Sequence, residues 1–223
     1  MIMDFRCSAR AVLRCTRLTV VAFLAACAST PKSASGIEQY PDGVNGITHI
    51  EYYEIVGRTA AELSADLRLK GPKDAEGRAF SGLTKSPFTW RYTTRAEGQT
   101  CSATSIKVTM YTDVFLPRWI PPDDVVPGLI AQWKQSMTAL EVHEAGHKDI
   151  SARYAKQIRD RINDLRTLCS NFSLEANRIS NAIVAEMRSA QIKYDADTRH
   201  GLSQGTGFPP PRSRPDSLPA RKP

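Results

Sequence analysis

The stretch His143-Glu144-Ala145-Gly146-His147 constrains the fold of this chain more than any other, because its two histidines are four residues apart. In an α-helix, residues at this spacing lie on one side, about 6 Å apart along the axis. Two imidazoles so arranged can bind a single zinc ion through their ring nitrogens. Glu144 lies about 100° round the helix from His143, where it would not be a ligand but could act as general base on a metal-bound water molecule.

The residues around this stretch predict that both histidines face the protein interior. They continue an apolar stripe with helical three-and-four spacing, which comprises Met137, Leu140, His143, His147, Ile150, Tyr154 and Ile158. Buried histidines need polar partners, and a metal ion is such a partner. The motif itself is the HExxH pattern of zinc metallopeptidases. The alternative is a solvated helix face that carries two surface histidines.

A catalytic zinc site normally has three protein ligands and one open position, so a further ligand must come from outside this stretch. Ile150 and Arg153 stand where metzincins carry their additional glycine and histidine, so the metzincin pattern is absent. The candidates lie elsewhere in the chain and are His200, Asp195, Glu175 and Glu186. We favour His200, with Asp195 either as the ligand in its place or as the carboxylate that orients the His200 ring.

Three further residues have other expected roles. Tyr194 or Arg199 could stabilise an oxyanion opposite the metal. His49 lies in a predicted strand, where it is expected at the surface or as a partner in the core rather than as a ligand.

Residues 1–26 predict a bacterial lipoprotein signal peptide. Four arginines precede an apolar run that is too short to span a membrane as a mature helix. The run ends in Leu24-Ala25-Ala26-Cys27, which resembles a lipobox, so Cys27 would carry the lipid. The chain is then expected in the cell envelope, on the periplasmic face of the outer membrane. The alternative is soluble secretion after cleavage by an ordinary signal peptidase.

Charge and cysteine content agree with an exported protein that does not bind nucleic acid. The formal net charge is +7, but the first 26 and the last 21 residues each carry +3, so the middle is close to neutral. Nucleic-acid binding needs a clustered basic face, which the middle lacks. Once the signal is removed and Cys27 is lipidated, Cys101 and Cys169 remain, and we expect them to form a disulfide. Two free buried thiols are the alternative.

The mature chain is predicted to comprise a flexible tether over 27–46, a zincin-like metallopeptidase domain over 47–202 and a disordered Pro/Arg-rich tail over 203–223. Strands are expected at 48–56, 88–94 and 101–116, the last two as a hairpin. Helices are expected at 60–70 after the N-cap Thr59, from the capping pair Asp123-Asp124 to about residue 166, and from Ser173 to about residue 192 with core positions Leu174, Ile179, Ile183 and Met187.

These elements predict an α+β fold. A small, mostly antiparallel sheet would pack on the long HExxH-bearing helix, with the second helix returning alongside it. The arrangement would be zincin-like, and the cleft would lie between the edge of the sheet and the motif-bearing helix. A substrate peptide could then lie along the edge strand.

The chain resembles a bacterial family, catalogued as a domain of unknown function, whose members are described as predicted secreted zinc-dependent proteases. The resemblance covers roughly residues 48–202, and its specific part is the HEAGH stretch together with the closing Tyr194-Asp195-x-x-Thr198-x-His200-Gly201. It is supported by residues 52–59, Gly71-Pro72, Cys101 with the following strand, and residues 116–119. The resemblance implies an extracytoplasmic metal-dependent hydrolase domain.

The residues and the resemblance together predict a zinc-dependent peptidase of the cell envelope. Its cofactor would be Zn²⁺, its substrate a peptide or protein, and its membrane contact the lipid on Cys27. One alternative is a non-catalytic lipoprotein that serves as a binding module and holds a structural zinc with four protein ligands. Another is a zinc amidase that acts on peptide links of the cell wall. The sequence leaves the oligomeric state open.

Overall fold

The computed structural model describes residues 33–40, 43–74 and 76–210. The predicted signal peptide, Cys27, residues 28–32 and residues 211–223 lie outside the described residues. The elements in chain order are β1 (Ser33–Tyr40), β2 (Val44–Ile55), α1 (Ala60–Lys70), β3 (Leu83–Lys85), β4 (Phe88–Glu97), β5 (Thr100–Trp119), α2 (Pro127–Asp164), β6 (Arg166–Leu168) and α3 (Phe172–Thr198). Among the described residues, no helix combines the length and the apolarity that crossing a bilayer requires.

The sheet is organised around β5, which is 20 residues long and pairs with four other strands. On one side β5 pairs in parallel with β2, and β1 adds antiparallel to the outer edge of β2. On its other side it pairs antiparallel with β3 and then with β4. The predicted hairpin is therefore confirmed as β4 and β5, and the sheet is mostly antiparallel, as expected; it has six strands among the described residues.

Strands β3 and β4 form one interrupted edge strand along β5. Leu83 is paired with Phe115 and Phe88 with Met110, so the two segments follow the same partner with only Ser86 and Pro87 between them. Proline cannot donate a hydrogen bond to a sheet, which is why such breaks occur at edges. Within the described residues, the outer edge of β3 pairs with no other strand.

The main core lies between the sheet and the two long helices. Small residues on both helices are almost fully buried, and they let the helix backbones approach each other closely: Ser151 and Ala155 on α2, Ala176 and Ser180 on α3. Larger side chains fill the space toward the sheet, namely Val44, Val108, Ile158, Ile162, Phe172 and Ile183. A second cluster, centred on Leu63, Trp119 and Trp133, joins α1 and the first half of α2 to the far end of the sheet.

The three predicted helices are present, but two of their starts and one end differ from the prediction. The Thr59 hydroxyl accepts a hydrogen bond from the Glu62 amide at 3.2 Å, so the cap of α1 is confirmed. Helix α2 follows Val126 without a side-chain cap, so the capping role of Asp123-Asp124 was wrong; Pro127 at the first helical position has no amide hydrogen, so one fewer donor is left unpaired in the first turn.

Helix α3 starts one residue before the predicted cap Ser173 and continues to Thr198, six residues beyond the predicted end. Leu174 is exposed rather than in the core, because Ala176 and Ser180 occupy the face that meets α2. Ile183 and Met187 are buried as predicted. The extra turns carry Asp195, so this carboxylate is fixed by a helix and not by a loop.

The predicted tether and tail are both partly ordered. Residues 33–40 form β1, whose Ile37 pairs with Ile47, so the tether prediction was wrong for these residues. Residues 203–210 are not a disordered tail, since Phe208 packs edge-on against Trp133 with ring centroids 5.3 Å apart. The Ser136 hydroxyl also donates to the Gly207 carbonyl at 2.9 Å. We call residues 201–209 the C-terminal strap, because they cross α2 from the end of α3 to α1.

Cys101 and Cys169 form the predicted disulfide, with Cα atoms 4.8 Å apart. It joins the start of β5 to the short connection between α2 and α3. The two cysteines are 68 residues apart in the sequence, so the bond closes a long loop in the unfolded chain. It therefore restricts the unfolded state considerably while holding the helical pair against the sheet.

We predict that reduction of this disulfide lowers the free energy of unfolding by about 2–4 kcal/mol, because the unfolded chain regains loop entropy. Urea unfolding with and without reductant would measure the effect. The Cys101→Ser/Cys169→Ser variant is the matched control and should show the reduced protein's midpoint under both conditions. An unchanged wild-type midpoint on reduction would contradict a stabilising disulfide.

Candidate metal centre

Three potential metal ligands converge where α2 and α3 cross. His143 and His147 lie on the inner face of α2 and are only 4% and 8% exposed. Their Nε2 atoms are 3.3 Å apart. Asp195 reaches them from the last turns of α3, and its Oδ1 lies 3.1 Å from the His147 Nε2 and 3.3 Å from the His143 Nε2. Among the described residues, this is the group of side chains close enough together to hold a metal ion.

The spacing of these three atoms fits a small tetrahedral cation. Ligand atoms at 2.0–2.1 Å from a tetrahedral zinc lie about 3.3–3.4 Å from one another. The observed edges of 3.1–3.3 Å are close to that spacing on all three sides. Two imidazoles and one carboxylate are also a donor set that zinc accepts. The residues present therefore fit a zinc ion without rearrangement of the helices.

Two glutamine side chains fix the orientation of the histidine rings. The Gln204 Oε1 lies 2.8 Å from the His143 Nδ1, and the Gln191 Oε1 lies 2.5 Å from the His147 Nδ1. The Gln191 amide nitrogen is engaged with the His147 carbonyl and the Ser151 hydroxyl, so its oxygen must accept from the ring. When neutral, both rings then carry their proton on Nδ1 and direct the lone pair of Nε2 toward Asp195, as metal ligands do.

Tyr194 packs beneath the histidines and does not face the cleft. Its ring stacks on His143 at 5.1 Å and meets His147 edge-on at 4.9 Å. Its hydroxyl donates to the His143 carbonyl at 3.3 Å and accepts from Gln204 at 3.1 Å. A Cβ at Gly146 would collide with this hydroxyl, which explains the glycine within the motif. Tyr194 is thus a support for the rings rather than the oxyanion stabiliser that we predicted.

His200 and Arg199 follow α3 in an unusual backbone conformation. Both have positive φ angles, 51° for Arg199 and 52° for His200, and Gly201 continues the turn at 78°. The turn brings Gly201 against His143 and starts the C-terminal strap that carries Gln204. Arg199 is exposed and is not among the residues that line the cleft, so the structure gives it no role at an oxyanion.

The predicted third ligand, His200, is not part of the group of three. Its Nδ1 lies 3.6 Å from the Asp195 Oδ1, its side chain is 53% exposed, and its ring packs against Phe80 at 5.4 Å. It lines the mouth of the cleft above the carboxylate. Asp195, the alternative ligand, occupies the position expected for His200. Glu175 pairs with Arg178, and His49 lies 3.7 Å from Asp113 on the sheet, so neither is near the centre.

Glu144 points from α2 toward the edge strand. Its Oε2 accepts a hydrogen bond from the Thr84 hydroxyl at 2.7 Å, and it is 4% exposed. Gly82 allows this approach, since a Cβ there would lie 2.5 Å from the Glu144 Oε1. Burial raises the pKa of Glu144, and this outweighs the opposing effects of Thr84 and the two histidines. A carboxylate with a raised pKa is suited to accept and release a proton near neutral pH.

The contacts with His143 and His147 hold Asp195 in its charged form. Burial alone would raise the pKa of Asp195, but His143 and His147, which can donate to it when they are also protonated on Nε2, outweigh burial and lower the pKa well below the ordinary value. For His147, burial acts to lower the pKa, and the hydrogen bonds with Asp195 and Gln191 outweigh it and raise the pKa. Asp195 therefore favours a positive charge beside it, either a protonated ring or a bound cation.

A cleft of about 1180 Å³ opens above these residues. One wall is the edge strand with its flanks, residues 80–88, and the other is the face of α3 from residue 184 to residue 195. His143, Glu144 and His147 form its floor, and the C-terminal strap closes one end. The volume accommodates several residues of an extended peptide.

The fold and the site define an α+β domain with a histidine–histidine–aspartate centre and a buried glutamate at the floor of a long cleft. The chain belongs to the bacterial family of proteins of unknown function DUF922, which matches residues 50–201. The matched range contains the three candidate ligands and Glu144, but it ends before Gln204. No curated protein and no solved structure matches the chain. The family membership inferred from the sequence is confirmed, while the description of its members as proteases stays a prediction.

The two glutamines were not predicted from the sequence. Gln191 lies four residues before Asp195 and would have been found as its neighbour on a helix face, had α3 been extended far enough. Gln204 lies in a stretch rich in glycine, serine and proline, where composition carried no signal of order.

We predict that Gln204→Ala weakens zinc binding by about 10–100-fold, because the His143 ring loses the acceptor that fixes its tautomer. Competition against a chromophoric zinc chelator would measure the affinity. Gln204→Glu should retain most of the affinity, since it keeps an acceptor at the same place. Gln157→Ala, on the exposed face of α2, is the matched control. Equal affinities in all four proteins would exclude a role for Gln204 in ordering the centre.

Proposed function

We propose that this protein is a zinc-dependent peptidase whose metal ligands are His143, His147 and Asp195. The observation that carries the proposal is the near-equilateral arrangement of the two Nε2 atoms and the Asp195 Oδ1, with edges of 3.1–3.3 Å. A group of three protein ligands leaves one position open, as catalytic zinc sites do. A structural site would need a fourth ligand in the group.

A bound zinc ion would supply Lewis-acid chemistry, which lowers the pKa of a water molecule and polarises a carbonyl group. Glu144 would take the proton from the attacking water and pass it to the leaving amine. Thr84 would hold the carboxylate through its 2.7 Å hydrogen bond, so that the other oxygen stays free for this transfer. Burial raises the pKa of Glu144, which favours the uptake of that proton.

The unpaired outer edge of β3 suggests how a substrate binds. An extended peptide could add to Leu83–Lys85 by backbone hydrogen bonds, which recognise any sequence in the same way. Thr84 on that strand is bonded to Glu144, so a peptide there would run directly past the general base. His200, at the mouth of the cleft, would face the substrate and could donate a hydrogen bond to its developing oxyanion.

The same donor set also holds iron(II) in oxygenases, so the identity of the metal is a test of the proposal. The position of Glu144 favours hydrolysis, because a buried carboxylate next to the metal ligands can act as a general base on water. Oxygen activation at iron(II) does not require such a carboxylate. Metal analysis of the purified protein that found iron and no zinc binding would contradict the proposal.

We predict that Asp195→Ala loses zinc while His200→Ala retains it. Asp195 contacts both ring nitrogens, whereas His200 approaches only the carboxylate. Inductively coupled plasma mass spectrometry on dialysed proteins would give the metal content, with His49→Ala as control. The opposite result would make His200 the third ligand. Loss of zinc from both variants would instead indicate a closed, structural site and would favour a non-catalytic lipoprotein.

We predict that Glu144→Gln keeps zinc and the fold but lowers peptide hydrolysis by about 10²–10⁴-fold, the range that general acid–base catalysis contributes. Glutamine can still accept from Thr84, so the local packing should survive. Cleavage of a fluorogenic peptide library would be compared with that of the wild type, beside zinc content and circular dichroism. Full activity in this variant would rule out Glu144 as the base.

A further inference from the structure

The cations of α3 fall into two groups that differ in their partners. Arg178 pairs with Glu175 and Lys193 pairs with Asp197, each within one helical turn and away from the cleft. Arg188 lines the cleft and has no acidic residue at the helix positions three or four residues away, which are Val184, Ala185, Gln191 and Ile192. In the described part of the chain, Arg188 also makes no ion pair with any other element.

The surroundings of Arg188 are otherwise apolar. Val184 and Ile192, four residues before and after Arg188, share its face of α3, and the neighbouring Met187 lines the same wall of the cleft. An arginine beside apolar surface can hold its aliphatic part against that surface and present its guanidinium to a ligand. A carboxylate is the group that a guanidinium binds best, through two parallel hydrogen bonds.

The charges of the residues that line the cleft also favour an anionic ligand. Among the described residues, the acidic ones that line it are Glu144 and Asp195, which are engaged at the floor by Thr84 and by the histidine rings respectively. Among the same residues, Arg188 on the helical wall and Lys85 on the edge strand are the lysines and arginines that line it. With a divalent ion at the floor, the net charge of the lining is positive, so the cleft attracts anionic peptides.

The position of Arg188 determines how far from the metal centre a bound carboxylate would lie. It precedes Asp195 by seven residues, or about 10 Å along the helix axis. An extended peptide rises about 3.3 Å per residue. A carboxylate bound by Arg188 is therefore roughly three to four residues from the bond at the metal centre.

We propose that the cleft selects extended peptides that carry a carboxylate roughly three to four residues from the scissile bond, and that Arg188 binds this carboxylate. The position of the carboxylate relative to a scissile bond rests on the proposed peptidase function. The binding of the carboxylate by Arg188 does not depend on that function. The carboxylate could be an acidic side chain or the C-terminus of a short peptide, and the two sources have the same chemistry.

The test uses zinc-loaded protein and fluorogenic decapeptides in which one glutamate is moved along the chain, each matched by a glutamine peptide. A second series ends at the same positions in a free carboxylate or a carboxamide, which distinguishes the two sources. We expect the ratio of kcat/KM for carboxylate and neutral peptides to peak at one position, at about 10-fold or more. This ratio should fall to about one in Arg188→Gln. In Arg188→Glu, peptides with lysine at that position should be cleaved faster than the carboxylate peptides.

Lys193→Gln is the matched control, since it removes a cation of α3 that lies outside the cleft, and it should keep the wild-type ratio. A ratio near one at every position in the wild type, or a peak that survives in Arg188→Gln, would overturn the inference. If the wild type cleaves no peptide, the peptidase proposal fails. Fluorescence anisotropy with the same labelled peptides then decides the inference alone, through tighter binding of the carboxylate peptides that is lost in Arg188→Gln.

Discussion

The register between α2 and α3 is the constraint on which the metal centre depends. Asp195 contacts both histidines, Gln191 contacts His147, and Met187 contacts Ser151. Each step of four residues forward along α2 thus corresponds to a step of four back along α3, so the helices run antiparallel in one register. A shift of one residue would rotate Asp195 by about 100° away from the rings. Buried small residues and the disulfide at the helix connection oppose such a shift.

The centre also concentrates polar groups that are costly to bury, and its surroundings satisfy them. Each ring Nδ1 has a glutamine acceptor, and the Glu144 carboxylate has the Thr84 hydroxyl. Leaving one of these groups without a partner would cost about 1–3 kcal/mol or more. The remaining atoms with lone pairs, the two Nε2 and the Asp195 Oδ1, face one another. When both rings are neutral, these three acceptors repel one another, and either protonation of a ring or a bound cation relieves that repulsion.

Local signals predicted the three helices and the strands β2, β4 and β5, but not β1, β3 and β6, nor the polar contacts between residues distant in the sequence. The cap of α1 at Thr59 and the inward direction of His143 and His147 follow from spacing within one element, which can be seen in a single sequence. Asp195 was placed second to His200, and the predicted α3 ended near residue 192, whereas the helix that carries Asp195 continues to Thr198 and packs against α2. Gln204 was missed altogether, since this Gly/Ser/Pro-rich segment is ordered by contacts with residues distant in the sequence, such as the packing of Phe208 on Trp133 and the hydrogen bond from Ser136 to the Gly207 carbonyl.

The general base and the metal ligands are supported by different parts of the fold. The histidines and Asp195 are oriented by α3 and the C-terminal strap, whereas Glu144 is oriented by Thr84 and the close approach of Gly82 on the sheet edge. A peptide that adds to β3 would therefore act on the support of the base and leave the ligands undisturbed. Because Thr84 lies on a three-residue strand that, within the described part of the chain, is paired only with β5, substrate pairing would order the strand and the base together. This couples binding to the alignment of Glu144 without movement of the helices.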